Sequence, residues 1–237
     1  MSDPAPADVA LATERNKVWY LQQNRLFSNA VDGSLESNAH LFKIVTYPRK
    51  TAIFDQGDPT RLIYFLKRGN VRLARLTEDG REVTVAILGP GDLFGEETLF
   101  EKGPRSTVAI ALDDVLVCMV RADDLFAMIS ADPSLALNVA RILSERVGEL
   151  ETTMEDLAYA KVGDRLMHLF RRLADEHGAR ESRGTRLTIR LTHADLASLV
   201  GSTRETVSAE IATLVRNGRI IADGRTIILP DSERQPV

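Results

Sequence analysis

Midway along the chain the spacing of apolar residues changes, and few folds accommodate both halves of the pattern. Between Phe42 and Val120 short alternating runs such as "RLIYFLKRG", "NVRLARLTEDG", "REVTVAILGPG" and "STVAIALDDVLVCMV" are cut by Gly, Pro and Asp-Gly turns. Alternation with period two and frequent turn residues predicts short antiparallel strands in a sandwich or jelly roll. "TEDGRE", Thr77 to Glu82, predicts a hairpin with Gly80 in its turn. From Pro133 to Tyr159 the period lengthens. Ala136, Ala140, Leu143, Val147, Leu150, Met154 and Leu157 recur at spacings of four and three, the seam of a coiled coil. Val139 and Ile142 supply a second apolar stripe. One stripe for the body and one for a partner favours a homodimer over a seam folded back on its own sandwich.

The flanks are read from composition. With 44% hydrophobic and 27% charged residues, the chain can bury a core and remain soluble. No apolar run approaches the roughly 20 residues of a membrane span, so no membrane partner is expected. The start, "MSDPAPADVALATE", has no basic region followed by an apolar stretch, and residues 1–17 are expected to be a disordered leader without a secretion signal. "NKVWYLQQNRLF" spaces Val18, Leu21 and Leu26 as an amphipathic helix. The single Cys118 fits a reducing cytoplasm and excludes an internal disulfide or a cysteine-held cluster. Four scattered histidines have no zinc spacing, and no metal is expected. No nucleophile–base pair and no P-loop stands in the chain, so no enzyme is expected.

Charge is uneven. Residues 1–160 hold 17 Lys and Arg against 24 Asp and Glu, whereas residues 161–237 hold 13 against 10. A basic C-terminal third on an acidic body permits nucleic-acid binding there. "KVGDRLMHLFRRLADEHG" predicts a helix with Leu166, Leu169, Phe170 and Leu173 on one face, followed by a polar loop "GARESRG" and a strand "TRLTIRL". Then two helices flank a glycine, Gly201, and a wing hairpin turns at Asp223-Gly224. Thr192 and Asp195 are placed to cap the first helix, and Ser202 with Glu205 to cap the second. The spacing predicts a winged helix-turn-helix. On the second helix Val207, Ile211 and Leu214 form the buried side. Glu205, Ser208, Ala209, Ala212 and Arg216 lie opposite, where small residues let a backbone approach base edges. Arg204 can reach guanine or phosphate, and Glu205 can accept from a cytosine amine. The candidate DNA contacts are Thr192, His193, Ser202, Arg204, Glu205, Ser208 and Ala209.

"FGEETLFEKGPRST", Phe94 to Thr107, is either a solvated loop or a loop shaped around a ligand with hydroxyl and anionic groups. An arginine fork and a serine hydroxyl hold an anion, and a carboxylate accepts from a hydroxyl. From about Leu41 onward, this stretch, the heptad helix and "GSTRETVS" in that order resemble the CRP/FNR family of bacterial transcription regulators. The resemblance implies an α+β chain with a cyclic-nucleotide-binding jelly roll over residues 18–132, a dimerisation helix over 133–160 and a winged helix-turn-helix over 161–237. It implies that Gly95 and Glu96 meet a ribose, that Arg105 and Ser106 hold a cyclic phosphate, and that Glu97 lines the same site. Leu150 and Glu151 would stand where cyclic-AMP-binding relatives place hydroxyls against adenine. Glu97, Thr98 and Thr107 also depart from the usual cassette.

The expectation is therefore a cytoplasmic, homodimeric regulator of transcription controlled by cyclic AMP. It would bind a palindromic double-stranded site and meet RNA polymerase; Asp175–Gly184 occupies the region where relatives do so. A ligand-independent regulator of the same fold, and a cyclic-nucleotide module acting on a partner protein, stay open beside it.

Overall fold

The structure is a computed structural model that describes residues 17–28, 34–78, 82–224 and 226–233. Residues 1–16 of the expected 1–17 leader and the Gly80 turn lie outside the described residues, whereas Lys17, the leader's expected last residue, is helical. Residue contacts divide the chain into two units, Met1–Val71 with Leu88–Val147 and Arg72–Ile87 with Gly148–Val237.

The first unit is built on the alternation expected of it. One four-stranded sheet has the order β1 (Lys43–Tyr47), β8 (Val115–Arg121), β3 (Leu62–Arg68), β6 (Leu93–Phe94). A second sheet has the order β2 (Ala52–Phe54), β7 (Val108–Ala111), β4 (Val71–Leu76), β5 (Glu82–Leu88), of which β2 and β7 belong to the first unit while residues 72–87 of β4 and β5 are grouped with the second. The pairs of known register are antiparallel, as in Tyr64 opposite Met119 and Phe65 opposite Cys118. Because successive strand residues face opposite sides, Tyr64 and Phe65 enter different layers. Tyr64 stacks on Phe94 with centroids 5.0 Å apart and meets Phe54 at 5.7 Å. Phe65 packs with Phe27 and Phe42 at 5.3 and 5.8 Å. β3 is thus buried on both faces, and its "LIYFL" reads as a continuous apolar run.

The outer layer comes from both ends of the unit. α1 (residues 17–22) and a 3₁₀ turn over Arg25–Phe27 replace the single helix expected from Val18 to Leu26. The break is at Asn24, whose Oδ1 accepts from Leu26 N at 3.0 Å while Nδ2 donates to Gly91 O at 2.8 Å. After β8, α4 (Ala122–Ala131) and α5 (Pro133–Tyr159) close the layer, the latter with the bounds expected. Asp132 Oδ1 accepts from Ser134 N at 3.0 Å, and Pro133 fills the first helical position, where its missing N–H costs no bond. Leu135 and Val139 are buried in the core, Ile142 packs against it, and buried Asn138 donates to Leu26 O at 2.9 Å. Leu143, expected on the seam, packs against the same core. The rest of the seam turns the other way. Ala136 and Ala140 are exposed, and Val147, Leu150, Met154 and Leu157 are 53%, 48%, 70% and 47% exposed.

The second unit follows α5 with α6 (Val162–His177), which buries Leu166, Leu169, Phe170 and Leu173 as its period requires. The stretch expected as a polar loop is a hairpin instead. β9 (Gly178–Glu181) pairs with β10 (Gly184–Leu187), Gly184 opposite Glu181. Its strands carry polar residues on both faces, and Arg186 Nε bonds Glu181, so no alternation marked them. The strand expected over Thr185–Leu191 ends at Leu187. α7 (His193–Leu199), α8 (Arg204–Arg216), β11 (Ile221–Asp223) and β12 (Thr226–Leu229) complete the unit, with sheet order β11-β12-β10-β9.

Candidate nucleotide turn and DNA-reading helix

β6 ends at Gly95, where φ is +81°. A Cβ there would lie 2.6 Å from Arg105 Nη1 and 2.8 Å from Leu62 O, so no side chain fits. The chain then enters the short α3 (Glu97–Phe100), and Thr98 Oγ1 donates back to Gly95 O at 2.9 Å. Arg105 is buried and tied to the same turn. Its guanidinium carbon lies 4.1 Å from the centre of the Phe54 ring, Nη1 donates to Gly95 O at 3.2 Å, and Nη2 donates to Leu62 O at 2.5 Å. Nη1 is also 3.9 Å from Glu97 Oε1. Burial holds the Arg105 guanidinium below its ordinary value, opposed by Tyr64 and the carboxylates of Glu97, Asp58 and Glu96. Tyr64 is pushed up to about 12, chiefly by burial.

Three side chains finish the turn. Ser106 Oγ donates to Glu97 Oε2 at 2.5 Å. Glu96 is paired with Arg146 of α5, which also donates to Leu93 O. Two buried polar atoms of the turn, Arg105 Nε and Glu97 Oε1, have no hydrogen-bond partner among the described residues. Leaving such an atom unpaired costs about 1–3 kcal/mol. One donor and one acceptor, buried beside a hydroxyl and a second carboxylate, suit a ligand that presents both an anion and a hydroxyl.

In the second unit Thr192 Oγ1 accepts from Asp195 N at 3.1 Å, and Asp195 Oδ2 accepts from Thr192 N at 2.8 Å. This reciprocal cap fixes the start of α7. Gly201, with φ of +58°, makes the turn; a Cβ there would meet Leu157 Cδ2 at 2.7 Å. The next cap differs from the expected one. Thr203, not Ser202, caps α8 by accepting from Thr206 N at 3.2 Å. Ser202 uses its backbone N–H on Ala197 O at 2.9 Å. Glu205 therefore lies in the first turn without a capping-box role. Val207, Ile211 and Leu214 are buried, whereas Arg204, Glu205, Ala209, Ala212 and Arg216 are exposed. His193 Nδ1 lies 2.7 Å from Ser208 Oγ, which also donates to Arg204 O at 2.8 Å. Those two candidate DNA contacts, His193 and Ser208, brace α7 against α8.

Residues 44–132 match the model of the cyclic nucleotide-binding domain, and residues 164–234 that of the Crp-like helix-turn-helix domain. The chain is 33% identical to the CRP-like cAMP-activated global transcriptional regulator of Mycobacterium tuberculosis, over 80% of this chain and 85% of that protein. The chain belongs to the CRP/FNR family of bacterial transcription regulators. Other CRP/FNR relatives are the cyclic AMP receptor protein of Thermus thermophilus, 33% identical over 81% of this chain and 86% of that one, and the global nitrogen regulator of Synechocystis sp., 32% identical over 76% and 80%. A solved CRP-family regulator from Thermus thermophilus superposes with a TM-score of 0.67 at 29% identity, covering 80% of this chain and 96% of that one. The fold alone is shared with the c-di-GMP responsive global regulator CLP of Xanthomonas campestris, at 24% identity and a TM-score of 0.72 over 84% and 99%.

This CRP/FNR-family protein is thus a DNA-binding transcription regulator with a cyclic nucleotide-binding domain. Of its expected ligand residues, Gly95, Glu96, Glu97, Arg105 and Ser106 come together at one turn. Leu150 and Glu151 are exposed on the part of α5 that groups with the second unit. Sequence reasoning missed Arg146. It follows Val139 and Ile142 by seven and four residues, so it is a charge interrupting the stripe that faces the body. That misfit was the available signal.

Proposed function

We propose that this regulator binds cyclic AMP at the Gly95–Ser106 turn and, as a homodimer, couples that binding to recognition of a palindromic DNA site. The observation that carries the reading is the pair of buried atoms without a hydrogen bond among the described residues, Arg105 Nε and Glu97 Oε1, beside Glu96 and Ser106. A cyclic phosphate offers acceptors to the guanidinium and to Ser106 Oγ. A ribose hydroxyl offers a donor to a carboxylate. Glu96 releases or shares Arg146 as that happens, which links the ligand to α5. The exposed heptad stripe supplies the dimer contact. The cytoplasm, with RNA polymerase as partner, is where such a regulator acts.

A second reading rests on the same turn. Both Nη atoms of Arg105 already donate to main-chain carbonyls, and Glu96 is already paired. A turn so well satisfied also suits a regulator that works without a ligand. Calorimetric titration of the purified protein with cyclic AMP and cyclic GMP decides between them. Saturable heat that disappears in Ser106→Ala with Glu96→Gln supports the first reading, and no heat with either nucleotide establishes the second. With Leu150 and Glu151 in place of hydroxyls, cyclic AMP and cyclic GMP are expected to bind with similar affinity.

A further inference from the structure

Away from the Gly95–Ser106 turn, the first unit holds a cavity of about 210 Å³, bounded by α1, β3, β8 and the Pro90-Gly91 turn. Its walls include Trp19, Tyr20 and Phe65, with Lys67 and Cys118 beside them. Trp19 and Tyr20 meet edge to face at 4.8 Å, and Trp19 is 56% exposed at the rim. Lys67 Nζ lies 3.6 Å from the centre of the Tyr20 ring. No carboxylate of the described residues pairs with it, and the cavity lining contains no acidic side chain. A cavity of roughly 150 Å³ lined by apolar side chains is enough to bind benzene. This one holds such a ring with space for a small polar group, between aromatic walls and next to a lysine ammonium.

From this geometry we infer that the cavity is a binding site for a small aromatic carboxylate, separate from the Gly95–Ser106 turn. The ring packs between Trp19, Tyr20 and Phe65, and the carboxylate takes the Lys67 ammonium. The ammonium keeps its cation–π contact with Tyr20, so both partners of the lysine are anionic or electron-rich. Burial, opposed by the adjacent Cys118 thiol and assisted by Lys17, lowers the Lys67 pKa, and an anionic ligand would favour the charged ammonium. Asn24 fixes one wall by donating to Gly91 O at 2.8 Å.

The chain has one tryptophan, and Trp19 reports on this cavity directly. Full-length protein is titrated with benzoate, and with benzyl alcohol as a neutral ligand of similar size. Tryptophan emission and ligand-observed saturation-transfer spectroscopy are followed together. Benzoate is expected to bind saturably and about tenfold more tightly than benzyl alcohol, the order of preference a charge-assisted contact gives. Lys67→Met should remove that preference and leave benzyl alcohol binding unchanged, while Lys67→Arg retains it. Excess cyclic AMP should leave benzoate binding intact. The proposal is overturned by no saturable binding, by equal affinities, by a preference that survives Lys67→Met, or by displacement with cyclic AMP.

Discussion

Arg105 serves the turn before it can serve any ligand. It braces Gly95 O and Leu62 O and packs on Phe54, so removing it takes a donor from both carbonyls, although Gly95 O keeps its bond from Thr98 Oγ1. Arg105→Ala should therefore lower stability by about 1–3 kcal/mol per lost partner as well as abolish nucleotide binding. Denaturant melts alongside calorimetry will show both losses; binding lost at unchanged stability would mean that Arg105 acts on the ligand alone. Ser106 is the cleaner probe, because among the described residues its hydroxyl bonds Glu97 and no main-chain group. Ser106→Ala is expected to weaken cyclic AMP roughly fivefold, the size of one ordinary hydrogen bond, with little change in melting. On α8, Ala209 is exposed on the face proposed to read DNA, at a position where the family resemblance implies an arginine. Alanine cannot donate to guanine, so relaxed selectivity is expected at one base pair of each half-site. Ala209→Arg should restore about tenfold discrimination there. Site selection from random duplexes that returns the same motif for both proteins would place Ala209 away from the bases. At this scale the sequence was legible where a residue had one task. Thr192 and Asp195 cap as expected, whereas α8 is capped by Thr203 and not by the expected Ser202, because the helix starts one residue later than the Ser202–Glu205 spacing implied.

Elements were legible in proportion to their period. α5 has the expected bounds because two apolar stripes mark it, and the strands of the jelly roll were marked by alternation. The β9–β10 hairpin was not, because its side chains are polar on both faces and its pairing is made by the backbone. The break between α1 and the following 3₁₀ turn was hidden for a related reason. It depends on where Asn24 finds Gly91, 67 residues away. The exposed seam gives this scale its prediction. In the proposed dimer, Leu150→Asp would set charges against the facing helix, where they cannot be solvated without separating it. Sedimentation should show monomer or a loosened dimer, and DNA affinity should fall with it, since two half-sites must be engaged together. A tight dimer in that variant would assign the seam another role. For α7, Thr192→Ala removes the reciprocal cap and should cost about 1 kcal/mol in thermal or denaturant unfolding.

At the scale of the molecule, the proposed function links ligand and DNA through one equilibrium. Whatever factor cyclic AMP adds to operator affinity, the operator must add to cyclic AMP affinity. Calorimetry with and without duplex measures that factor twice, and unequal values would show that a third state is populated. α5 has a feature that bears on its size. The residue grouping changes between Val147 and Gly148, inside a helix that continues unbroken to Tyr159. Glycine is among the poorest helix residues, about 1 kcal/mol worse than alanine, and a Cβ at position 148 would touch nothing within 4 Å. The helix thus resembles a torsion rod with one thin section. Thickening that section by Gly148→Ala should raise the melting temperature while shrinking the gap between liganded and unliganded operator affinity, so the most stable version of this protein would also be the one least able to listen.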